Sequence, residues 1–172
     1  MSDQPLDAAS IQGYIAEVAD ELEPGSQRIL VIVGGALLAW HGYRATTGDV
    51  DSVQRLDRDV KDAVARVAAR HDLAPAWLND SAARFAPATF RLEDCEVLSN
   101  TPTLRVLGAP MDQIFVMKLM ASRAVDTDDL EAIWRDCTFG SPEEAAEAFF
   151  NAYPFEERDP FLADRIREIV QS

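Results

Sequence analysis

The sequence predicts an α+β fold, in which helices flank a small mixed β-sheet and a helical C-terminal part follows. The first observation is Arg28–Val33, a short run rich in Val and Ile between two segments with helical spacing of apolar residues. Two further strand-like runs come after His71, and only helical patterns come after Pro110. The 172 residues, 48% of them hydrophobic, allow a core at residues 1–109 with a helical part at residues 110–172, or one domain containing both.

The first 71 residues predict three helices and two strands. Asp7 is a suitable N-cap for a helix over residues 8–23, which Pro24-Gly25 ends. Arg28–Val33 predicts a buried strand. A short helix is expected next, over residues 36–43, and then a second strand over residues 49–53. The third helix, over residues 57–71, has inward-facing apolar residues at Val60, Val64, Val67 and Ala68.

The rest of the chain predicts two more strands and four helices. The segment PAWLND, residues 75–80, is expected to be a loop or the start of a short helix. Strands are predicted over residues 89–98 and 104–107. Pro110 suits the first position of a helix that reaches Ser122. The remaining predicted helices cover residues 126–137, 142–152 and 159–171.

The charge of the chain limits its partners. Sixteen basic and thirty acidic residues give a net charge of −14, without the Lys/Arg cluster that is typical of a nucleic-acid-binding face. Nucleic acid is therefore not expected as the main partner unless a few arginines converge in the fold. No apolar run approaches the roughly 18 residues of a membrane span. The polar N-terminus and two cysteines, Cys95 and Cys137, indicate a cytoplasmic protein with reduced thiols.

Gly34 and Gly35 follow the first predicted strand directly and precede a predicted helix. Glycines in such a turn let the backbone bend sharply and let a ligand approach closely. The free N–H groups at the start of a helix attract phosphate groups. A glycine pair alone is most often only a turn, so a phosphate-binding role depends on what lies beside it.

Asp49 and Asp51 lie two residues apart on the next predicted strand, so their side chains face the same side. Neighbouring carboxylates repel each other unless a cation lies between them, and Mg²⁺ often joins one or two carboxylates to substrate phosphates. A solvated strand edge is the alternative for an isolated Asp-x-Asp. Together with the glycine pair, the two aspartates predict a site for a nucleoside triphosphate and Mg²⁺.

Lys118 interrupts the apolar helical segment FVMKLM. Burying an unpaired ammonium group is costly, so the side chain is expected to reach water or to face an anion such as a nucleotide phosphate. On this hypothesis, replacing Lys118 by Met weakens nucleotide binding or transfer but costs little stability.

Three ordered motifs carry a resemblance to a known family. The residues VGG, thirteen further residues and then DVDS resemble the signature of minimal nucleotidyltransferases of the polymerase-beta superfamily. The longer stretch GYRATTGDVD is similar to nucleotidyltransferases of bacterial toxin–antitoxin systems, including abortive-infection type IV toxins and their uncharacterised relatives, with Arg44 and Thr47 at matching positions. AWLND, residues 76–80, and the helical segment ending at Trp134 extend the resemblance over residues 28–134.

The resemblance implies a role for each matching residue. Asp49 and Asp51 would hold Mg²⁺. The catalytic set would be completed by Lys118, Asp126 and Asp129. The nucleotide-binding set would be Gly34, Gly35, Arg44, Thr47, Lys118 and Arg123. Alternatives are that Arg44 pairs with Asp49 and that Asp126 caps a helix. Many members of the superfamily carry a third metal-binding carboxylate, for which the candidates are Glu93, Asp94, Glu96, Asp126 and Asp129.

The implied activity is Mg²⁺-dependent transfer of a nucleoside monophosphate to a macromolecular hydroxyl, with release of pyrophosphate. The acceptor is expected to be a tRNA 3′ end, reached through a basic surface, or a protein side chain. That surface would include Arg84, Arg91, Arg105, Lys118 and Arg123. The toxin role would bring a cognate antitoxin as partner. The alternatives are a catalytically weak nucleotide- or partner-binding module and an antitoxin-type protein nucleotidyltransferase.

Trp77, next to a loop, is the tryptophan most expected to lie outside the core.

Overall fold

The computed structural model describes residues 4–121 and 126–171. These residues form two compact units. The first runs to Phe85 and also contains Cys95–Ala109, and the second comprises Ala86–Asp94 and the described residues from Pro110 onward. The chain is of the predicted α+β class, with a mixed sheet in the first unit and helices in the second. A domain boundary at residue 109 stays a prediction.

The first unit contains α1 (Ala8–Glu21), α2 (Gly34–Trp40) and α3 (Arg58–His71). Its strands are β1 (Arg28–Val33), β2 (Val50–Ser52), β3 (Leu78–Asn79), β4 (Glu96–Asn100) and β5 (Leu104–Gly108). Among the described residues they form one sheet in the order β3-β2-β1-β5-β4. β1 is antiparallel to β2 and parallel to β5, while β2 is parallel to β3 and β4 is antiparallel to β5.

The core of the first unit follows the predicted patterns. The Asp7 carboxylate accepts a hydrogen bond from the Ser10 amide at 2.8 Å and so caps α1, as predicted. The bounds of β1 are those predicted, and its last four residues are buried. α1 packs against α2 and α3, and the four predicted apolar positions of α3 are buried.

Several predicted bounds are wrong for local reasons. α2 begins at the glycine pair itself rather than at Ala36, and it ends at Trp40, before a turn at Gly42 with φ of 81°. The predicted strand over residues 89–98 forms only from Glu96, because turns and a short 3₁₀-helix, Leu92–Asp94, occupy the residues before it. Residues 78–79, predicted as a loop or helix start, pair with β2 as the edge strand β3.

The second unit contains α4 (Met111–Ala121), α5 (Asp126–Ile133), α6 (Pro142–Ala152) and α7 (Leu162–Val170). The bounds of α6 match the prediction, with the Ser141 hydroxyl accepting from the Glu144 amide at its start. The helix predicted to reach Cys137 ends at Ile133 and continues as a 3₁₀-turn. The predicted end of α4 at Ser122 lies outside the described residues. None of the described helices is both long and apolar enough to span a bilayer.

Candidate active site

Gly34 occupies the point where β1 becomes α2. Its φ of 63° lies in the left-handed region, which favours glycine. A Cβ atom added there would meet the Asp51 Oδ2 atom at 3.7 Å, an ordinary contact distance. The glycine therefore serves the backbone conformation, and the surface above it adjoins the Asp51 carboxylate.

Gly35 serves a different purpose, because its Cα lies directly under two side chains. An added Cβ would come within 2.7 Å of Thr47 Oγ1 and 3.1 Å of the Arg44 guanidinium. The Thr47 backbone is fixed by a two-way bridge to Leu6, with N···O distances of 2.7 and 2.9 Å. The structure thus brings together Gly35, Arg44 and Thr47, three of the residues predicted to bind a nucleotide.

Arg44 and Thr47 also shape the segment that leads to the aspartates. The Arg44 Nε donates to the Thr46 carbonyl at 2.9 Å, and the Thr47 hydroxyl donates to the Asp49 carbonyl at 3.2 Å. Thr47 is buried, and Arg44 is exposed. The loop before β2 is therefore held against the glycine pair, and the Asp49 backbone is held with it.

Asp51 lies on β2 directly opposite Val33, the residue before Gly34. Asp49 immediately precedes β2 and is exposed, while Asp51 is half-buried. Short strand pairing thus places the Asp-x-Asp motif beside the glycine turn, which is the proximity that the sequence predicted.

Asn79 is a residue of this site that the sequence prediction missed. It is the partner of Asp51 in the parallel β2–β3 ladder, and its amide Nδ2 lies 3.5 Å from Asp49 Oδ2. The AWLND motif contained this asparagine, but its position depends on an edge strand of two residues, Leu78–Asn79. No local pattern of that length predicts a strand.

Asp80, the last residue of the same motif, has a structural role. Its Oδ2 accepts the Leu56 amide at 2.9 Å and pairs with Lys61 at 3.2 Å. The Leu56 hydrogen bond, assisted by Lys61, lowers the pKa of the Asp80 carboxyl. Trp77, expected to be the exception to the core, is buried, and its indole N–H donates to the Val64 carbonyl at 3.2 Å.

The carboxylate oxygens of the aspartate pair are of the chemical type that a hard divalent cation prefers. Within residues 4–121 and 126–171, no group of three or more His, Cys, Asp or Glu side chains is placed to hold a metal ion. One or two carboxylates are nevertheless enough for Mg²⁺, which keeps several waters and takes further oxygens from substrate phosphates.

The candidate third carboxylates lie on other elements than the aspartate pair. Glu96 is on β4, separated from β2 by β1 and β5, and its carboxylate lies 3.4 Å from His41 Nε2. Glu93 and Asp94 are exposed in a 3₁₀-helix of the second unit. A third carboxylate at the aspartate pair stays a prediction.

Lys118 is the centre of a buried ion cluster in the second unit. Its Nζ contacts Asp126 Oδ1 at 2.8 Å and Asp129 Oδ2 at 2.7 Å. The exposed fractions of the three side chains are 8%, 5% and 9%. The cluster joins α4 to α5. The expectation that Lys118 can be lost at little cost in stability assumed an unpaired ammonium, and that premise is wrong because Lys118 pairs with two buried carboxylates. Arg123, predicted beside it, lies outside the described residues.

Three of the residues predicted to form a basic surface, Arg84, Arg91 and Arg105, are exposed, whereas the inclusion of Lys118 in that surface is wrong because its side chain is buried. Arg84 lies in the 3₁₀-helix Ser81–Phe85, which follows Asn79 and packs against β2. Its guanidinium lies 5.9 Å from the ring centroid of Phe85, a side chain that is 52% exposed. Arg105 is exposed on β5, and Arg91 is exposed in the second unit. Their convergence on one surface stays a prediction.

The mixed sheet brings the glycine turn beside the aspartate pair, in a chain whose predicted fold class is that of a nucleotidyltransferase. Comparison with family models agrees: residues 13–135 match a family described as a nucleotidyltransferase of unknown function (DUF6036). The match covers most of the chain, and the chain belongs to this nucleotidyltransferase family. No curated protein and no solved structure gives a significant match.

Proposed function

We propose that this protein is a Mg²⁺-dependent nucleotidyltransferase that moves a nucleoside monophosphate from a nucleoside triphosphate to a macromolecular hydroxyl. The observation that carries the proposal is the convergence of Asp49, Asp51 and the Gly34 turn in a member of a nucleotidyltransferase family. The structure of the first unit supports it by holding the loop before β2 against the glycine pair.

Each residue of the site has a proposed part in binding. Asp49 and Asp51 would hold Mg²⁺, which neutralises charge on the triphosphate and on the departing pyrophosphate. The Gly34 turn lets the triphosphate approach the backbone beside Asp51. The exposed Arg44 guanidinium, close to Gly35, would contact phosphate oxygens. The parts predicted in transfer for Lys118, Asp126 and Asp129 stay predictions.

The reaction is a substitution at the α-phosphorus. A bond forms between the acceptor oxygen and the α-phosphorus, the bond from that phosphorus to the α,β-bridging oxygen breaks, and pyrophosphate leaves. The hydroxyl proton passes to solvent. The protein contributes position and electrostatic stabilisation rather than a covalent intermediate.

The acceptor is proposed to be a macromolecule, a tRNA 3′ end or a protein hydroxyl, and the protein to act as a growth-inhibiting toxin with a cognate antitoxin. This proposal is supported by the resemblance of GYRATTGDVD to toxin-type nucleotidyltransferases. The exposed Arg84 and Phe85 beside β2 support an acceptor that offers both negative charge and flat rings. A cytoplasmic location, with Cys95 and Cys137 as reduced thiols, is part of the proposal.

The test is nucleotide binding followed by label transfer. Each of the four triphosphates is added to the purified protein with and without Mg²⁺, and the melting temperature is measured. The correct triphosphate with Mg²⁺ should raise it in the wild type, and Asp49→Asn and Asp51→Asn should lose that increase. Absence of any Mg²⁺-dependent increase would contradict the proposal.

The acceptor is then found with α-labelled triphosphate and separate RNA and protein fractions. Label on RNA that Arg84→Glu abolishes, with nucleotide binding retained, supports the tRNA acceptor; label on protein alone supports a protein side chain. Binding without transfer to either fraction supports the binding-module alternative. Expression of wild type but not Asp51→Asn should arrest growth if the toxin role is correct.

A further inference from the structure

Asn79 lies beside the aspartate pair, on the strand next to β2. In the β2–β3 ladder it pairs with Asp51, and partners in a parallel ladder point their side chains to the same face. Asp51 in turn pairs with Val33, at the end of β1. The Asp51 carboxylate and the Asn79 amide therefore share one face of the sheet beside Gly34, with the Asp49 carboxylate 3.5 Å from that amide.

The orientation of the Asn79 amide is set by its neighbours. The Ser81 amide donates to Asn79 Oδ1 at 2.9 Å, so that oxygen is identified as the acceptor. The Nδ2 group then faces two oxygens, the Ala76 carbonyl at 3.3 Å and Asp49 Oδ2 at 3.5 Å. The second distance is longer than a typical N–H···O hydrogen bond of about 2.7–3.2 Å, and catalytic contacts of this length often tighten when substrate binds.

The charge of this group of side chains is low for a metal site. Asp49 and Asp51 bring two negative charges, whereas the side-chain amide of Asn79 is polar but carries no charge. The affinity of oxygen sites for divalent cations depends on the number of charged ligands and on the groups that orient them. The Asn79 amide thus affects both the orientation of a ligand, because it faces Asp49, and the charge of the site, because it is neutral.

We propose that Asn79 is a positioning residue of the divalent-cation site. Its amide N–H orients the Asp49 carboxylate, and because the amide is neutral, the site contains only the two negative charges of Asp49 and Asp51. The inference rests on the proposed function, since it takes Asp49 and Asp51 as the cation ligands. It predicts opposite effects for two substitutions. Asn79→Ala removes the donor and weakens cation binding, whereas Asn79→Asp supplies a third carboxylate and strengthens it.

The experiment measures Mn²⁺ binding to the full chain by electron paramagnetic resonance, without nucleotide and without turnover. Asn79→Ala should raise the Kd about tenfold, as loss of a group that orients a metal ligand typically does. Asn79→Asp should lower the Kd by about tenfold through the added charge. Asn151, exposed on α6 in the second unit, provides matched controls: Asn151→Ala and Asn151→Asp should leave the Kd unchanged.

Melting of the metal-free proteins separates a positioning role from a structural one. A structural role alone would lower the melting temperature of Asn79→Ala and leave the Kd of the folded protein at the wild-type value, which would overturn the inference. A weaker Kd in Asn79→Asp than in the wild type would also overturn it. If the wild type binds no Mn²⁺, or Asp51→Asn binds it equally well, the cation site of the proposed function fails instead.

Discussion

Replacing Lys118 by Met should destabilise the protein strongly. The substitution keeps the length and apolar stem of the side chain and removes only the ammonium, which contacts two carboxylates at 2.8 and 2.7 Å. Those carboxylates are at most 9% exposed, so little water reaches them. Removing one member of a buried ion pair costs about 3–5 kcal/mol. For a chain of this size that is a fall in melting temperature of about 6–20 °C.

The assay is thermal and urea unfolding followed by circular dichroism. Lys61→Met is the matched control, because Lys61 is 55% exposed and its pair with Asp80 at 3.2 Å should be worth less than about 1 kcal/mol. Adding Asp126→Asn and Asp129→Asn to Lys118→Met should recover part of the loss, since both carboxylates that faced the ammonium are then neutral. A Lys118→Met protein with the same melting temperature as the Lys61→Met protein would refute the prediction.

Three further predictions concern packing and ionisation. Gly35→Ala should lower the free energy of unfolding in urea by about 1–3 kcal/mol, because its Cβ would lie 2.7 Å from Thr47 Oγ1. An equal loss of unfolding free energy when Gly35→Ala is made in Thr47→Ala protein would contradict this. Burial, assisted by Asp112, raises the pKa of the Cys137 thiol to about 12, so in Cys95→Ser protein iodoacetamide should react with it slowly at pH 8 until urea is added. A native rate equal to the unfolded rate would be the opposite result. The lowered pKa of Asp80 means that its carboxylate stabilises the fold above about pH 4 and loses that effect as the pH falls through the native pKa. The excess unfolding free energy of wild type over Asp80→Asn should therefore shrink with acidification, and a gap that stays constant down to pH 2 would exclude this role.

The sequence predicted correctly the bounds of those helices and strands whose ends are fixed by neighbouring glycine, proline or capping residues. β1 matched its predicted range because a Pro-Gly turn precedes its Val/Ile-rich run and a glycine pair follows it. α6 matched because Ser141 and Pro142 fix its start. The glycine pair and Asp-x-Asp were brought together as expected, since β1 and β2 are neighbouring antiparallel strands.

Features that depend on distant pairing were not predictable in this way. Asn79 joins the site through the register of a two-residue edge strand, which carries no periodic signal. The sequence identified Lys118 as an unusual residue in an apolar helix. Its partners, Asp126 and Asp129, are eight and eleven residues away in the next helix. Only the packing of α4 on α5 identifies them as the anions that it faces.

The most direct test of the central claim compares two labels on one triphosphate. The purified protein is incubated with Mg²⁺, cell extract and the stabilising triphosphate, labelled either at the α- or at the γ-phosphorus. Nucleotidyl transfer at the Asp49/Asp51 site predicts that RNA or protein acquires the α-label and never the γ-label, and that Asp51→Asn abolishes the signal. Transfer of the γ-label, or α-labelling that persists in Asp51→Asn, would contradict the assignment of this site.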